Sequence, residues 1–265
     1  MALITLSSDY GYKDPYRAMV HGTIAAQAPD LKVVDLSHGL QPGNLIESAF
    51  VVGHASKSFP AGTVHMILNS ELAGQGQWLA MELEGQFFIA ADNGVLSLLQ
   101  ESRRAQSLHR IEIGEQEGSL FPGRDFLAQA AIHLAQKGAI SLLGKPIEQI
   151  KNSSMPRPQV DSIRKRINGH VIYVDNYGNL ITNIRQQDLL EALQADKLEV
   201  HLPRNRDLNK ISKSYKDIGQ DGVLALINSL GLLEIAFRDG QSTAGNGAST
   251  LLGLGIMSEI TITYE

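Results

Sequence analysis

From residue 2 to residue 68 the chain alternates runs of β-forming residues with segments of helical spacing. ALITLSSD ends at Asp9, DLKVVDL runs from Asp30 to Leu36, and TVHMIL reaches Leu68. Between the first two, Asp14 through Ala28 repeats apolar or small residues at helical intervals (Tyr16, Met19, Val20, Thr23, Ile24), and Asn44 to Ser56 reads as a second helix. Asp14-Pro15 supplies an N-cap and a first-turn proline. Strands joined through helices run parallel, because a hairpin cannot return the chain in the same direction. The pattern therefore predicts an α/β fold with a mostly parallel, doubly wound sheet. Further strands flank Gly85, and a helix after FPGRD runs through FLAQAAIHLAQKG to stop at Gly138.

The texture changes at 151–166. KNSSMPRPQVDSIRKR carries prolines, serines and scattered charge, and reads as a linker. It separates an α/β domain over 1–150 from a β-rich domain over 167–265. The latter consists of short pieces (HVIYVD, NLITNI, KLEVHL, VLALIN, LLEIAF, IMSEITITY) divided by glycine, asparagine and aspartate, as in a small antiparallel barrel or sandwich.

Charge and composition narrow the partners. The net charge is −5, and no basic cluster exists beyond Arg164-Lys165-Arg166, which argues against a nucleic-acid partner. No stretch approaches the ~20 apolar residues of a membrane span. The first residues lack the charged start and apolar run of a signal peptide, so a cytoplasmic location is expected. Cysteine is absent, which removes disulfides, thiolate nucleophiles and cysteine-bound metals. The 8 histidines show neither HxH nor HExxH spacing, so no metal is expected.

The chemistry-bearing residues gather at strand ends. Asp9 closes the first strand, followed by Gly11 and a helix start. A carboxylate there either accepts the hydroxyls of a ribose or caps its own loop. Asp14 reads as a helix cap, His38 and His133 as structural histidines, Asp92-Asn93-Gly94 as a β-turn, and Arg124-Asp125 as the charged start of a helix. NSELAGQG, Asn69 to Gly76, follows the third strand, where α/β proteins place catalytic groups. In VDNYGNLITN, Asp175, Tyr177 and Asn179 surround a glycine between two strands. They read either as a hairpin turn or as groups that hold an ammonium, stack on a purine and read an adenine edge. Spacing alone assembles no catalytic triad.

Several segments, in order, resemble the S-adenosylmethionine (SAM) hydroxide adenosyltransferases, relatives of the SAM-dependent fluorinase and chlorinase. They are ITLSSDYGYKDPYRAMVHGTI, VVDLSHGLQPGNLIESAF, FPAGTVH, FIAADNGVLS, GRDFLAQAA, VIYVDNYGNLITNI and INSLGLLEIAF, which span both domains. The resemblance implies a C-terminal β-barrel, and a homotrimer whose nucleoside ligand lies between one subunit's N-terminal domain and a neighbour's C-terminal domain. It implies attack on C5′ of SAM with methionine leaving, and no cofactor beyond SAM itself. By resemblance, Asp9 would hold the ribose hydroxyls. Asp14 and Asp175 would face the methionine end, with Asp175 on its ammonium. Asn179 would read the adenine, Tyr177 would line its pocket, and Asn228-Ser229 would meet the methionine carboxylate.

The chain departs from this family in the loop after the third strand. The family's hydrolases carry an aspartate there in a DPGVG-type motif, then an arginine, and a histidine before the GRD. These positions are Asn69, Gly76 (or Gln77) and Pro122 here, with Gly123 beside them. All three water-activating groups are missing, so unassisted, slow hydrolysis is expected. The retained ligand set favours an enzyme. The alternatives are a non-catalytic SAM or adenosine binder and use of another nucleophile such as halide. Glu71 is the one carboxylate left in the loop; it reads either as a replacement base or as a solvated surface glutamate.

Overall fold

Strand β1 (Leu3–Ser8) lies between two parallel neighbours, β2 (Lys32–Ser37) and β3 (Val64–Leu68), with Ser8 level with Leu68. The computed structural model describes residues 3–74, 77–101, 103–113, 118–219, 222–239 and 247–265. The chain divides into two compact units, Met1–Met155 and Pro156–Glu265.

In the first unit, β5 (Gln86–Ala91) extends the parallel set beside β3. β4 (Trp78–Leu83) and β6 (Ser107–Arg110) then add antiparallel strands, giving the order β2-β1-β3-β5-β4-β6. The sheet is thus mixed, with a parallel core. β4 and β5 flank Gly85 as the sequence suggested, and Glu84 and Gly85 both take positive φ in the turn (53° and 74°). The chain passes from β1 out to β2 and returns across to β3. The carboxyl ends of β1 and β3 therefore flank a topological switch point, the crevice where open α/β sheets bind ligands.

Alternation along each strand builds two cores. Ile4, Leu6, Val64, Met66 and Leu68 point toward α1 (Tyr16–Gln27) and α4 (Ala128–Ala135), through Val20, Ile24 and Phe126. Ile67, Leu79, Met81, Phe88 and Ala90 face α2 (Leu45–Ala55) and α3 (Val95–Gln100). The Asn44 side chain caps α2 by accepting from Glu47 N at 3.1 Å. Asp14 does not cap α1. Pro15 holds the cap position at φ −77° without a side-chain hydrogen bond, and Asp14 is exposed one residue farther out. A π-helical turn, Gly123–Leu127, precedes α4.

The second unit opens with β7 (Gln159–Asp161), so the stretch expected as a linker contributes a short strand paired with β8 (Arg166–Val174). The other strands are β9 (Leu180–Arg185), β10 (Leu198–His201), β11 (Ile211–Ser212), β12 (Val223–Ile227), β13 (Leu232–Phe237) and, after α5 (Ala248–Leu252), β14 (Glu259–Tyr264). Pairing follows β10-β14-β8-β9-β13-β12-β11, antiparallel except for β11 with β12. β8 serves two ladders, with Arg166 to His170 on β14 and Val171 to Val174 on β9, and the sheet curls about it. At Gly169 a Cβ would lie 2.3 Å from Ile184 Cγ1, so only glycine allows this approach. Among the described residues the pairing is an open path, a curled sheet rather than a ring. No helix among them is long and apolar enough to cross a membrane.

Phe126 is fully buried and meets Trp78 edge to face at 4.7 Å. Phe126→Ala should destabilise the first unit by about 3–5 kcal/mol. Trp78 is the only tryptophan, so its fluorescence in a denaturant titration reads that unit directly.

Candidate functional site

Three loops leave the carboxyl ends of β1, β3 and β5 and are bound together by buried amides. Asn69 is 1% exposed. Its Nδ2 donates to Gln41 O (3.1 Å) and Ser48 Oγ (2.7 Å), and its Oδ1 accepts from Gly43 N (3.2 Å) and Ser70 Oγ (3.0 Å). Asn93 donates to Asn69 O at 3.0 Å and accepts from Val95 N at 3.1 Å. The Asp92-Asn93-Gly94 turn is therefore a clamp on the neighbouring loop, and Gly94 takes the positive φ it needs (109°). Asp9 Oδ2 accepts the Ser70 N–H at 3.0 Å, which joins the loop after β1 to the same set.

Glu71 follows directly. It is 7% exposed, so the solvated surface glutamate is not what the fold makes of it. The Tyr10 hydroxyl donates to Glu71 Oε1, while Oε2 is buried without a well-formed hydrogen bond. Burial pushes the Glu71 carboxyl up from 4.5 to about 7; the Tyr10 and Gly123 N–H donors oppose the rise, and Asp9 and Asp125 add to it. Burial, reinforced by Glu71, likewise raises Tyr10, which stays protonated. A Cβ at Gly123 would sit 2.9 Å from Tyr10 Oη and 3.0 Å from Glu71 Oε2, so the pair occupies the space that glycine leaves. Tyr10, Tyr16 and Phe121 form an aromatic wall beside it, with ring centroids 5.5 to 6.1 Å apart.

The resemblance also singled out Pro122, Gly76 and the stretch beginning at Gly123. Pro122 is buried at the start of the π-helical turn. Gly76 lies outside the described residues. Arg124 turns to Asp125, with Nε 2.6 Å from Oδ1, and Asp125 also accepts from the Ser119 hydroxyl at 2.7 Å.

His38 belongs to a separate network. Its Nδ1 lies 2.6 Å from Ser8 Oγ, and its Nε2 lies 3.0 Å from Asp35 Oδ1. His21 approaches the same oxygen at 2.7 Å, and Arg17 takes Oδ2 at 3.0 Å. Burial lowers the His38 pKa. Burial also pushes Asp35 up, but the hydrogen bonds from His38 and His21 outweigh it and hold the carboxyl low. His21, Asp35 and His38 place ligand atoms within 4.8 Å of one another, yet the arginine already supplies the positive charge a metal would bring. This is the structural role expected of His38. His133 bonds Ala139 O at 3.0 Å, also structurally.

In the second unit, a cavity of about 510 Å³ is lined by Asp175, Asn228 and Ser229 together with Lys213, Tyr215 and Glu234. The Asp175 carboxylate accepts from Tyr177 N (2.9 Å), Asn179 N (2.8 Å) and Asn179 Nδ2 (3.0 Å). The hairpin-turn reading of this segment therefore holds as geometry. It also leaves Asn179 Oδ1 buried and unpartnered, an open acceptor. Tyr177 is 61% exposed. Asn228 donates to Glu234 Oε2 at 3.1 Å, and Tyr215 donates to Oε1 at 2.7 Å. Burial raises the Glu234 carboxyl. Sequence reasoning passed over Tyr215 and Glu234; Glu234 lies on β13 and is buried only through that strand's pairing with β9 and β12. A second cavity of about 360 Å³, beside α1, contains none of the expected ligand residues.

Residues 4–144 match the SAM hydroxide adenosyltransferase N-terminal domain, and residues 169–261 match the C-terminal domain of that family. An (R)-S-adenosyl-L-methionine hydrolase of Methanocaldococcus jannaschii is 27% identical, over 99% of this chain and 96% of its own length. The protein of the same name from Thermus thermophilus is 29% identical, over 91% and 93%. A fluorinase of Nocardia brasiliensis is 25% identical, over 88% and 89%. The crystal structure of an uncharacterized conserved protein from Thermotoga maritima superposes with a TM-score of 0.87 at 27% identity, covering 98% of this chain and 99% of that one.

Two outcomes follow from this geometry. Asn69→Asp removes both amide donors and turns a carboxylate toward Gln41 O, so it should destabilise the protein by about 1–3 kcal/mol in denaturant titrations near neutral pH. Glu71 has a folded pKa above its unfolded one, so the unfolded state releases the proton first. The Glu71 contribution to stability is complete below about pH 4.5 and falls as pH rises toward about 7. Glu71→Gln should flatten that decline and melt higher than wild type at pH 7.5, with the difference vanishing at pH 4.

Proposed function

We propose that this chain, which belongs to the SAM hydroxide adenosyltransferase family, cleaves SAM by attack at C5′, with water giving adenosine and methionine. The observation that carries the reading is the convergence of Asp175, Asn228 and Ser229 on one cavity, in a chain matched along nearly its whole length by SAM hydrolases. The sulfonium is already a good leaving group. The protein therefore has mainly to align the nucleophile and exclude bulk water.

In this reading Asp9 takes the ribose hydroxyls. Its position at the β1/β3 switch point, held there by the Ser70 N–H, supports that role. Asp14, exposed and not a cap, and Asp175 face the methionine end, with Asp175 on the ammonium. Asn228 and Ser229 meet the methionine carboxylate, and Tyr177 lines the adenine pocket. Asn179 reads the adenine through Oδ1, which accepts from the exocyclic amine. Its Nδ2 donates one hydrogen to Asp175, which holds the amide plane in place. The assembly is a homotrimer in the cytoplasm, with the curled sheet closed as a small barrel. One copy's N-terminal unit and another's C-terminal unit share the nucleoside.

A non-catalytic binder is the second reading, favoured by the commitment of the Asn69 amide to Gln41 and to Ser48 of α2. The test is chromatography of SAM incubated with the protein, using both sulfonium epimers because the hydrolase relatives are named for the R form. Adenosine and methionine in equal amounts are expected. Bound SAM without adenosine supports the binder, and a halogenated nucleoside formed only with halide identifies the other nucleophile. Asp9→Ala should weaken SAM or adenosine by about 1–3 kcal/mol in calorimetry; no heat from wild type with either at millimolar concentration refutes the ligand assignment. Light scattering should exclude a 28.8 kDa monomer.

A further inference from the structure

We propose that Glu71 is the base that takes the proton of the attacking water, with Tyr10 as its positioning residue. This deepens the SAM-cleavage reading and rests on it. C5′ is one bond outside the ribose ring, so a base serving it must stand close to the group that holds the ribose hydroxyls. Asp9 is that group, and its carboxylate is hydrogen-bonded to the backbone of Ser70, the residue before Glu71. Both emerge at the carboxyl ends of β1 and β3. The loop therefore delivers a carboxylate to the crevice from residue 71 in place of the aspartate that residue 69 does not supply.

Three observations make Glu71 fit the role. It is 7% exposed, and its Oε2 is buried without a well-formed hydrogen bond, so that oxygen keeps an unspent acceptor site for a proton. Tyr10 donates to Oε1 and remains a phenol, which holds the carboxylate in one orientation without competing for the proton. Gly123 lies against the pair, and any side chain there would press on both, so this placement of the carboxylate needs a glycine opposite it. The groups facing Glu71 are Tyr10 and Asp9 from the β1 exit and Asp125 from the π-helical turn, with Arg124 engaged by Asp125. Burial and the two aspartates together place its pKa at about 7, near the value at which a general base works best.

In the step, a lone pair of the water oxygen forms the bond to C5′. The C5′–S bond breaks with its electron pair passing to sulfur, and the water proton passes to Glu71. Neutral methionine thioether and adenosine result, and Glu71 returns its proton to solvent. The sulfonium brings a positive charge to the site, which lowers the Glu71 pKa in the complex. The rise in kcat with pH should therefore lie to the acid side of the rise in kcat/KM.

The experiment compares wild type, Glu71→Gln and Tyr10→Phe in SAM turnover from pH 5 to 9, with SAM affinity by calorimetry and folding by circular dichroism. Glu71→Gln should keep SAM affinity within about threefold, lower adenosine release by ~10²–10⁴-fold and abolish the rise with pH. Tyr10→Phe removes a donor that holds the Glu71 pKa down, so its profile should keep the rise and move it to higher pH. Glu71→Gln with wild-type rate and profile overturns the proposal while leaving SAM cleavage intact. Folded Glu71→Gln that loses SAM affinity in step with rate also overturns it, since the residue would then be structural. Wild type that binds SAM and releases no adenosine overturns the cleavage reading and this step with it.

Discussion

A single buried amide holds the candidate site together. Asn69 donates to the loop before α2 and to α2 itself, accepts from Gly43 and Ser70, and presents its own carbonyl to Asn93. Buried polar groups that are fully paired rigidify what they join, because each broken contact would expose an unpaired group in a low-dielectric interior. The loops after β1, β3 and β5 are thus one body, and Asp9 and Glu71 are placed by it. An amide suits this work where a carboxylate does not, since it both donates and accepts. Asn69 is thereby a structural tie.

That tie has an electrostatic consequence one residue later. Holding the loop against the sheet drives Glu71 beneath Tyr10 and beside Gly123, where its charged form is poorly solvated. The fold bears a carboxylate that weakens it as pH rises, and in exchange has a group that titrates near neutrality. Cost and usefulness have the same origin in desolvation. The π-helical turn at Gly123–Leu127 contributes the missing Cβ and also Asp125, whose charge adds to the shift.

The C-terminal unit handles its polar groups differently. Asp175 folds its own hairpin turn by accepting from Tyr177 and Asn179, and lines a cavity at the same time. Turn former and ligand residue were alternatives when only the sequence was in view. The geometry shows one carboxylate that closes the turn and also lines a cavity, because its oxygens have more acceptor sites than the turn consumes.

Much of the architecture was legible in local pattern. The alternation of strand and helix, the helix that begins beside Asn44 and the strands flanking Gly85 depend on periodicity and turn chemistry, which act over a few residues. Asp9 at the end of β1 was legible for the same reason. The helix boundary at Asp14 was missed by one residue because Pro15 sets its own φ, and α3, β6 and β7 were missed because they are short. What tertiary structure alone decided is the fate of NSELAGQG. Its polar letters describe a solvated turn, and nothing within the segment says otherwise. Glu71 is buried by Tyr10, 61 residues earlier in the chain, and by a glycine in a later helical turn. Solvation depends on which distant segments arrive to exclude water, and that is settled only when the strand order brings β1 and β3 side by side.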